Sequence, residues 1–462
     1  MQTTALLFIA TWLISVAILL WRARHSHGFF DLGVVGLIIF GGYYLLPSMV
    51  ALSDALPVTA LDKDSVDLIM QYCIVFIGVF TLAYLIAKEV LLKIHVPLPG
   101  ARTCRPDDWK LALAAFLGLQ LLYMGISLAY INPFASYTVT YAQAQAMPQG
   151  IVQIYELVGS VASIAEIVLL WSLKEKQSFM QRRVIVGFLI FHLLQVLITQ
   201  ARAPLIRYII VLIFLGNLTP YWPRVMPFLR HLVRRRRRVP IIVQLLGMAL
   251  LLVALNVFGA YRGSREGSGS IAWGWELLVP SEFIQVYLNS YILAGYRLNN
   301  SMPPVPGLPY VSDIFSVVPS YLAPWQKVDL ATWYVKTLFP WLAQRGGGQA
   351  FGTVAEALVL FGFTSIVIQA AALGIIWGGT TGILLRSGRN LPRWFACFYL
   401  FQVVWIQIPM RATTFSVIGS SLRGFFLAYL ISWMIMRQLR AAANGDHGVP
   451  VSADSASERE IC

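Results

Sequence analysis

Long apolar runs separated by short polar connections fill most of the chain, and their length decides how they are read. A helix of roughly 17 to 25 apolar residues crosses a bilayer. Eleven runs reach that range, at 3–21, 29–52, 68–87, 111–131, 151–173, 184–200, 205–222, 240–260, 352–378, 394–410 and 418–436. One polar interruption is long: it opens with Tyr261-Arg262-Gly263-Ser264-Arg265-Glu266-Gly267 and runs to Phe351. The expected fold is an all-α polytopic integral membrane protein with about 11 transmembrane helices and one large, partly helical exoplasmic loop. Its regions are an N-terminal membrane region at 1–260, the loop at 261–351, a C-terminal membrane region at 352–440 and a disordered tail at 441–462.

Composition agrees. With 58% hydrophobic and 12% charged residues the chain is too apolar for a soluble protein. The formal charge of +14 would suit nucleic acid. Its distribution points elsewhere, because basic residues fall on alternate loops, as the positive-inside bias produces. Arg22, Arg24, Lys88, Lys93, Arg102, Arg105, Lys110, Lys174, Lys176, Arg182, Arg183, Arg224, Arg230, Arg234 to Arg238, Arg386, Arg389, Arg393, Arg437 and Arg440 mark the cytoplasmic side. Nucleic acid is therefore not an expected partner.

The other loops are exoplasmic, and an odd number of crossings puts the N-terminus outside and the tail inside. The first run is followed by Arg22 and Arg24 rather than preceded by a positive residue, the reverse of a cleavable signal. Cys73 and Cys397 lie in apolar runs, Cys104 in a basic loop and Cys462 in the tail, so neither a structural disulfide nor a metal set is expected.

A second population of basic residues stands where the insertion bias disfavours it. Arg202, Arg207, Arg262, Arg265, Arg411 and Arg423 fall at about the exoplasmic headgroup level. Arg207 and Arg423 lie within predicted spans, where a charge costs about 2.5–3.5 kcal/mol. Guanidinium forks match phosphate oxygens bidentately, so the six together suit a lipid diphosphate. The plainer reading is that some snorkel to the interface or pair with Glu156 and Glu166. Arg262 and Arg265 flank Gly-Ser as in an anion nest. Trp273, Trp275, Trp325, Trp333 and Trp341 in the long loop suit helices at the interface, such as 282–296.

Two acidic motifs admit two readings each. Thr353 and Glu356 have the spacing of a capping box, which would make the glutamate a local backbone cap; alternatively the carboxylate acts as a base at the exterior mouth of a span. Asp62-Lys63-Asp64 has the D-x-D form used for divalent metals, but equally suits the N-terminus of the third span. Histidine is absent from the exterior segments, with His25, His27, His95, His231 and His447 cytoplasmic and His192 within a span. Neither a Walker loop nor a zincin or esterase motif is present, which removes ATP-driven transport, zinc proteolysis and esterase chemistry.

Three stretches resemble the Wzy-type oligosaccharide repeat-unit polymerases, the O-antigen and exopolysaccharide polymerases of bacterial inner membranes. They are Gln200-Ala201-Arg202-Ala203-Pro204-Leu205, Val318-Pro319-Ser320-Tyr321-Leu322-Ala323-Pro324-Trp325-Gln326-Lys327, and Gly347-Gly348 followed by Gly352-Thr353-Val354-Ala355-Glu356-Ala357-Leu358-Val359-Leu360-Phe361-Gly362. The plan of many spans with one large exterior loop in the second half is also similar. The arginine–glycine spacing of some family members is not present around Arg202.

The resemblance implies transfer of a growing glycan from undecaprenyl diphosphate to the terminal sugar of an incoming lipid-linked repeat, without nucleotide or other cofactor. It implies lipid-linked donor and acceptor, membrane lipid and a Wzz-type chain-length regulator as partners. Preorganised arginines would hold the leaving diphosphate; Arg202, Arg262, Arg265 and Arg411 lead, with Arg207 and Arg423 beside them. Glu356 is the leading base, with Glu266 and Asp313 in reserve. The rival functions are a flippase of lipid-linked oligosaccharide, a glycan ligase, which would be expected to carry an exterior histidine, and an acyltransferase, for which only His192 would serve.

Overall fold

The structure, a computed structural model, describes residues 2–23, 31–52, 62–94, 108–132, 146–173, 281–315, 327–344, 350–387 and 391–445, with scattered positions at 139, 143, 183–194, 208 and 211. Among these residues every regular element is helical. Among them, seven helices are long and apolar enough to cross a membrane, at Gln2–Ala23, Leu32–Leu52, Lys63–Lys93, Trp109–Tyr130, Gly150–Ser172, Phe363–Ser387 and Ser416–Leu439. The chain is an α-helical membrane protein. The predicted spans at 205–222 and 240–260 lie outside the described residues, apart from Tyr208 and Val211, and that at 184–200 is described only in part.

Two predicted spans are not continuous helices. The run at 394–410 is apolar throughout, yet its helix stops after 12 residues, at Arg393–Val404, and a four-residue helix follows at Ile408–Arg411. Pro409 is the physical reason, since a proline inside a helix removes a backbone donor and clashes with the preceding turn. The run at 352–378 breaks at Leu360–Gly362, leaving a seven-residue helix, Thr353–Val359, ahead of the long one at Phe363–Ser387. Gly362 takes φ +63°, a left-handed conformation open mainly to glycine.

The chain forms two compact units. The first holds α1 (Gln2–Ala23), α2 (Leu32–Leu52, with a π-helical turn at Gly41–Leu45), α3 (Lys63–Lys93), the loop helices and the long helix at Phe363–Ser387. Here α1 packs along α3. Trp12 of α1 donates its indole N–H to the Leu37 carbonyl of α2 at 2.7 Å. A file of rings runs up the interior of α2 and α3, with Phe40 and Phe76 stacked at 4.4 Å, followed by Phe80 and Tyr84.

The long helix meets α3 through Gly374, Gly378 and Gly382, four residues apart and so on one face. A methyl group on Gly374 would stand 2.7 Å from the Phe80 carbonyl oxygen, and one on Gly382 2.6 Å from that of Lys88. Small residues of this kind let backbones approach closely where apolar side chains gain nothing by leaving lipid.

The loop helices are α4 (Ser281–Leu298), α5 (Pro309–Ile314), α6 (Leu330–Leu338) and α7 (Pro340–Gln344). The helix expected at the interface, 282–296, forms as α4 but is a packed element. It lies against α3, the π-helical turn of α2 and the short helix α8 (Thr353–Val359), burying Val286, Tyr287, Leu293 and Ala294. Buried Asn289 of α4 accepts from Tyr334 Oη at 3.0 Å and donates to the Ala350 carbonyl at 2.6 Å. That single side chain ties α4 and α6 to the segment entering α8.

The second unit contains the helices Asp108–Tyr130, Gln149–Ser172, Arg393–Val404 and Ala428–Gly445. Tyr123 and Tyr155 stack at 4.5 Å, and Ser432 Oγ donates to the Val161 carbonyl at 3.3 Å. Glu166, offered above as an arginine partner, meets buried His192 at 2.7 Å.

Candidate functional site

The short helix α8 is buried at every position, an unusual state for seven residues that do not span the membrane. Its seat depends on Gly352, which caps it with φ +81° and ψ 158° and contributes no side-chain bond. A methyl group at Gly352 would lie 2.7 Å from both Tyr44 Oη and Val286 Cγ1. Tyr44 Oη also accepts from the Val354 N–H at 3.4 Å, satisfying one free donor of the first turn.

The capping-box reading is overturned. Thr353 lies inside the helix and its hydroxyl donates to the Pro409 carbonyl. The Glu356 carboxylate reaches a turn 58 residues further on, where its Oε2 accepts from the Thr414 N–H at 2.8 Å and from Thr414 Oγ1 at 3.0 Å. Its other oxygen, Oε1, is buried and has no hydrogen-bond partner. The Phe351 N–H donates to the Arg411 carbonyl at 3.1 Å, which joins α8 to the same turn.

Asp313 of α5 is the second carboxylate of this cluster. It is 1% exposed, and neither of its oxygens has a hydrogen-bond partner. Its neighbour Ser312 accepts from the Val328 N–H at 3.1 Å, drawing α5 to the start of α6. There Asp329 caps α6, accepting from Ala331 N–H and Thr332 N–H, each at 3.3 Å, from Thr332 Oγ1 at 2.7 Å and from buried Thr413 Oγ1 at 3.1 Å. Tyr310 Oη donates to Ser365 Oγ at 2.8 Å, tying α5 to the first turn of the long helix.

The electrostatics follow from this geometry. Burial first, then the negative charges of Asp313 and Asp329, push Glu356 up to about 8 against the opposing bonds from Thr414. Burial and Asp329 push Asp313 up to about 7. No lysine, arginine or histidine forms an ion pair with any of the three carboxylates among the described residues. Two carboxyl groups that titrate near neutrality, in a buried site lined with hydroxyls, are suited to accept and return a proton.

Of the residues singled out from the sequence, Glu356 and Asp313 are both buried in the first unit and close enough to interact electrostatically. Glu266, Arg202, Arg207, Arg262 and Arg265 lie outside the described residues. Arg411 ends the four-residue helix in the first unit, and Arg423 is exposed on a π-helical turn of the second. Asp62 caps α3, its carboxylate accepting from Asp64 N–H, Ser65 N–H and Ser65 Oγ.

Asp329, Thr413 and Thr414 were not foreseen. The local signal of Asp329 is that of an ordinary helix cap, which it also is. Among the described residues no group of three histidine, cysteine or acidic side chains is arranged to hold a metal ion. Compared with protein-family models, curated proteins and solved structures, the chain matches none.

Proposed function

We propose that the chain is a polysaccharide polymerase: a membrane glycosyltransferase that joins undecaprenyl-diphosphate-linked oligosaccharide repeats on the exoplasmic face of a bacterial inner membrane. The observation that carries this reading is the fate of Glu356. It lies in the stretch with the strongest family likeness, is released from local capping, and is held by one oxygen beside Asp313 with the other unpaired. In the reaction the bond between the anomeric carbon and the diphosphate oxygen breaks, the acceptor hydroxyl oxygen bonds to that carbon, and its proton passes to Glu356. A base titrating near the working pH fits this task. The arginines of the exterior segments would hold the departing diphosphate.

The remaining expectations belong to the same proposal: eleven spans, an exoplasmic N-terminus, a cytoplasmic tail and a Wzz-type regulator as partner. The test is replacement of Glu356 by Gln in cells that depend on this chain for polymer. Long-chain glycan should vanish while single repeats still accumulate on the outer carrier; unchanged polymer length removes Glu356 from the mechanism.

One observation favours a second reading. A short buried helix broken from a membrane helix, with an unpaired carboxylate on it, is also how transporters build coupling-ion sites. A flippase of lipid-linked oligosaccharide would then be the function, and loss of the chain would leave no repeat outside.

A further inference from the structure

We propose that Asp313 and Glu356 form a proton-binding site that is occupied in the closed, substrate-free protein, and that release of this proton to water loosens the contact between α8 and the Thr413–Thr414 turn. The proposal goes beyond the glycosyl-transfer reading, since it concerns the chain without substrate.

The argument starts from the oxygens. Glu356 Oε1 and both Asp313 oxygens are buried without a donor. A full negative charge on each would be buried without a counter-ion among the described residues, Asp313 with no hydrogen bond and Glu356 with those from Thr414 alone, a costly way to bury a carboxylate. Asp329, the third acid, has four donors on it. The first two therefore differ from the third in kind. Protonation of one removes a charge and supplies the O–H donor that the cluster lacks.

The facing groups are compatible. From α5 comes Tyr310, whose hydroxyl is committed to Ser365. The titratable groups of the other elements packed against α8 include Tyr44 of α2, Tyr72 and Cys73 of α3, Tyr287, Tyr291, Tyr296 and Arg297 of α4, and Arg411; among the described residues none forms an ion pair with either carboxyl. When the proton leaves, two buried carboxyls both carry negative charge with Asp329 near them, a repulsion that outweighs the strengthening of the Thr414 bonds to the ionised Glu356. Among the described residues, the bonds holding the Glu356 carboxylate to the turn are the two from Thr414. Repulsion is then relieved by hydration of the site, which separates α8 from that turn.

The experiment uses the full chain in lipid nanodiscs without substrate, titrated from acid to alkaline pH while the infrared carbonyl stretch of protonated carboxyl groups is recorded. The wild type should show a buried protonated carboxyl that disappears with a midpoint in the range of about 7 to 8. Asp313→Asn should weaken the band and move the remaining midpoint downward, because one negative neighbour is gone. Hydrogen exchange at 353–359 and 413–416 should accelerate severalfold across the same pH range in the wild type and lose that dependence in Asp313→Asn.

Should Asp313→Asn fail to fold, Thr414→Val keeps both carboxyls and should move the midpoint upward. The absence of a protonated carboxyl at neutral pH, or a midpoint that ignores these variants, overturns the proposal. Because no glycan enters the measurement, a normal titration combined with intact polymer in Glu356→Gln cells would sink only the polymerase reading.

Discussion

The first unit buries acid in two places, and the two are built on opposite plans. Asp31, which caps α2, gives one oxygen to Lys88 Nζ at 2.7 Å and the other to the Gly33 N–H at 3.0 Å and the Tyr84 hydroxyl. Its charge is matched and both oxygens are used. Among the described residues the Asp313–Glu356 cluster has no ion pair, and three of its four oxygens are unused. A complete network specifies structure and tolerates no change, whereas an incomplete one is retained only where something else completes it. That contrast, rather than burial itself, separates a scaffold from a candidate site.

The largest effect should come from breaking the complete network. Lys88→Met leaves Asp31 charged, buried and short of its partner, and should destabilise the protein by about 3–5 kcal/mol, read as the loss of folded protein on heating in detergent. Replacing both partners by apolar residues should restore much of that loss. If the single replacement costs little, the Asp31–Lys88 pair is not the matched structural element described here.

Glu356→Gln should do the reverse, slowing polymer formation by about 10²- to 10⁴-fold while leaving the thermal midpoint little changed. A variant that is inactive because it unfolds would erase the distinction between the two clusters.

Gly352→Ala tests the seat of the incomplete network without touching its charges. The backbone angles at Gly352 are essentially confined to glycine, so the substitution should cost about 1–3 kcal/mol, and polymer formation should fall with it. Hydrogen exchange at 353–359 is the check. If α8 remains as protected as before, the positive-φ cap does not hold the helix.

How much of this was legible in the sequence depends on the range of the interaction. Apolar runs of spanning length became helices wherever they are described, because burial along a continuous apolar stretch needs no distant information. Breaks were harder to see. Pro409 carried a local signal that could have divided the run at 394–410, but the turn at Leu360–Gly362 depends on a glycine inside a sequence that is otherwise continuously apolar.

The capping box failed for a related reason. Thr353 and Glu356 satisfy a local rule by spacing, yet the native fold offers each a better partner, Pro409 and Thr414, more than 50 residues away. The arginine constellation rested on charge placement, and three of its four leading members, Arg202, Arg262 and Arg265, lie outside the described residues, so the carboxylates carry the site.

The smallest expected effect belongs to Thr414→Val, and it bears most directly on how the incomplete cluster is tuned. The substitution removes the 3.0 Å bond from Oγ1 to Glu356 and leaves the 2.8 Å bond from the backbone N–H. Loss of one hydrogen bond should cost about 0.5–1.5 kcal/mol. The sign of its effect on titration is fixed: a donor favours the ionised carboxylate, so removing it raises a value that already stands at about 8. As the folded-state value lies above the unfolded one, stability is greatest at acid pH and is lost as pH rises from the ordinary carboxyl range through the folded-state value; in Thr414→Val that loss should extend to higher pH. Polymer formation, which needs the ionised base, rises over the same range, and its ascending limb should move the same way. Parallel displacement of both curves ties stability and activity to one carboxyl group; displacement of the stability curve alone would leave Glu356 as a structural acid.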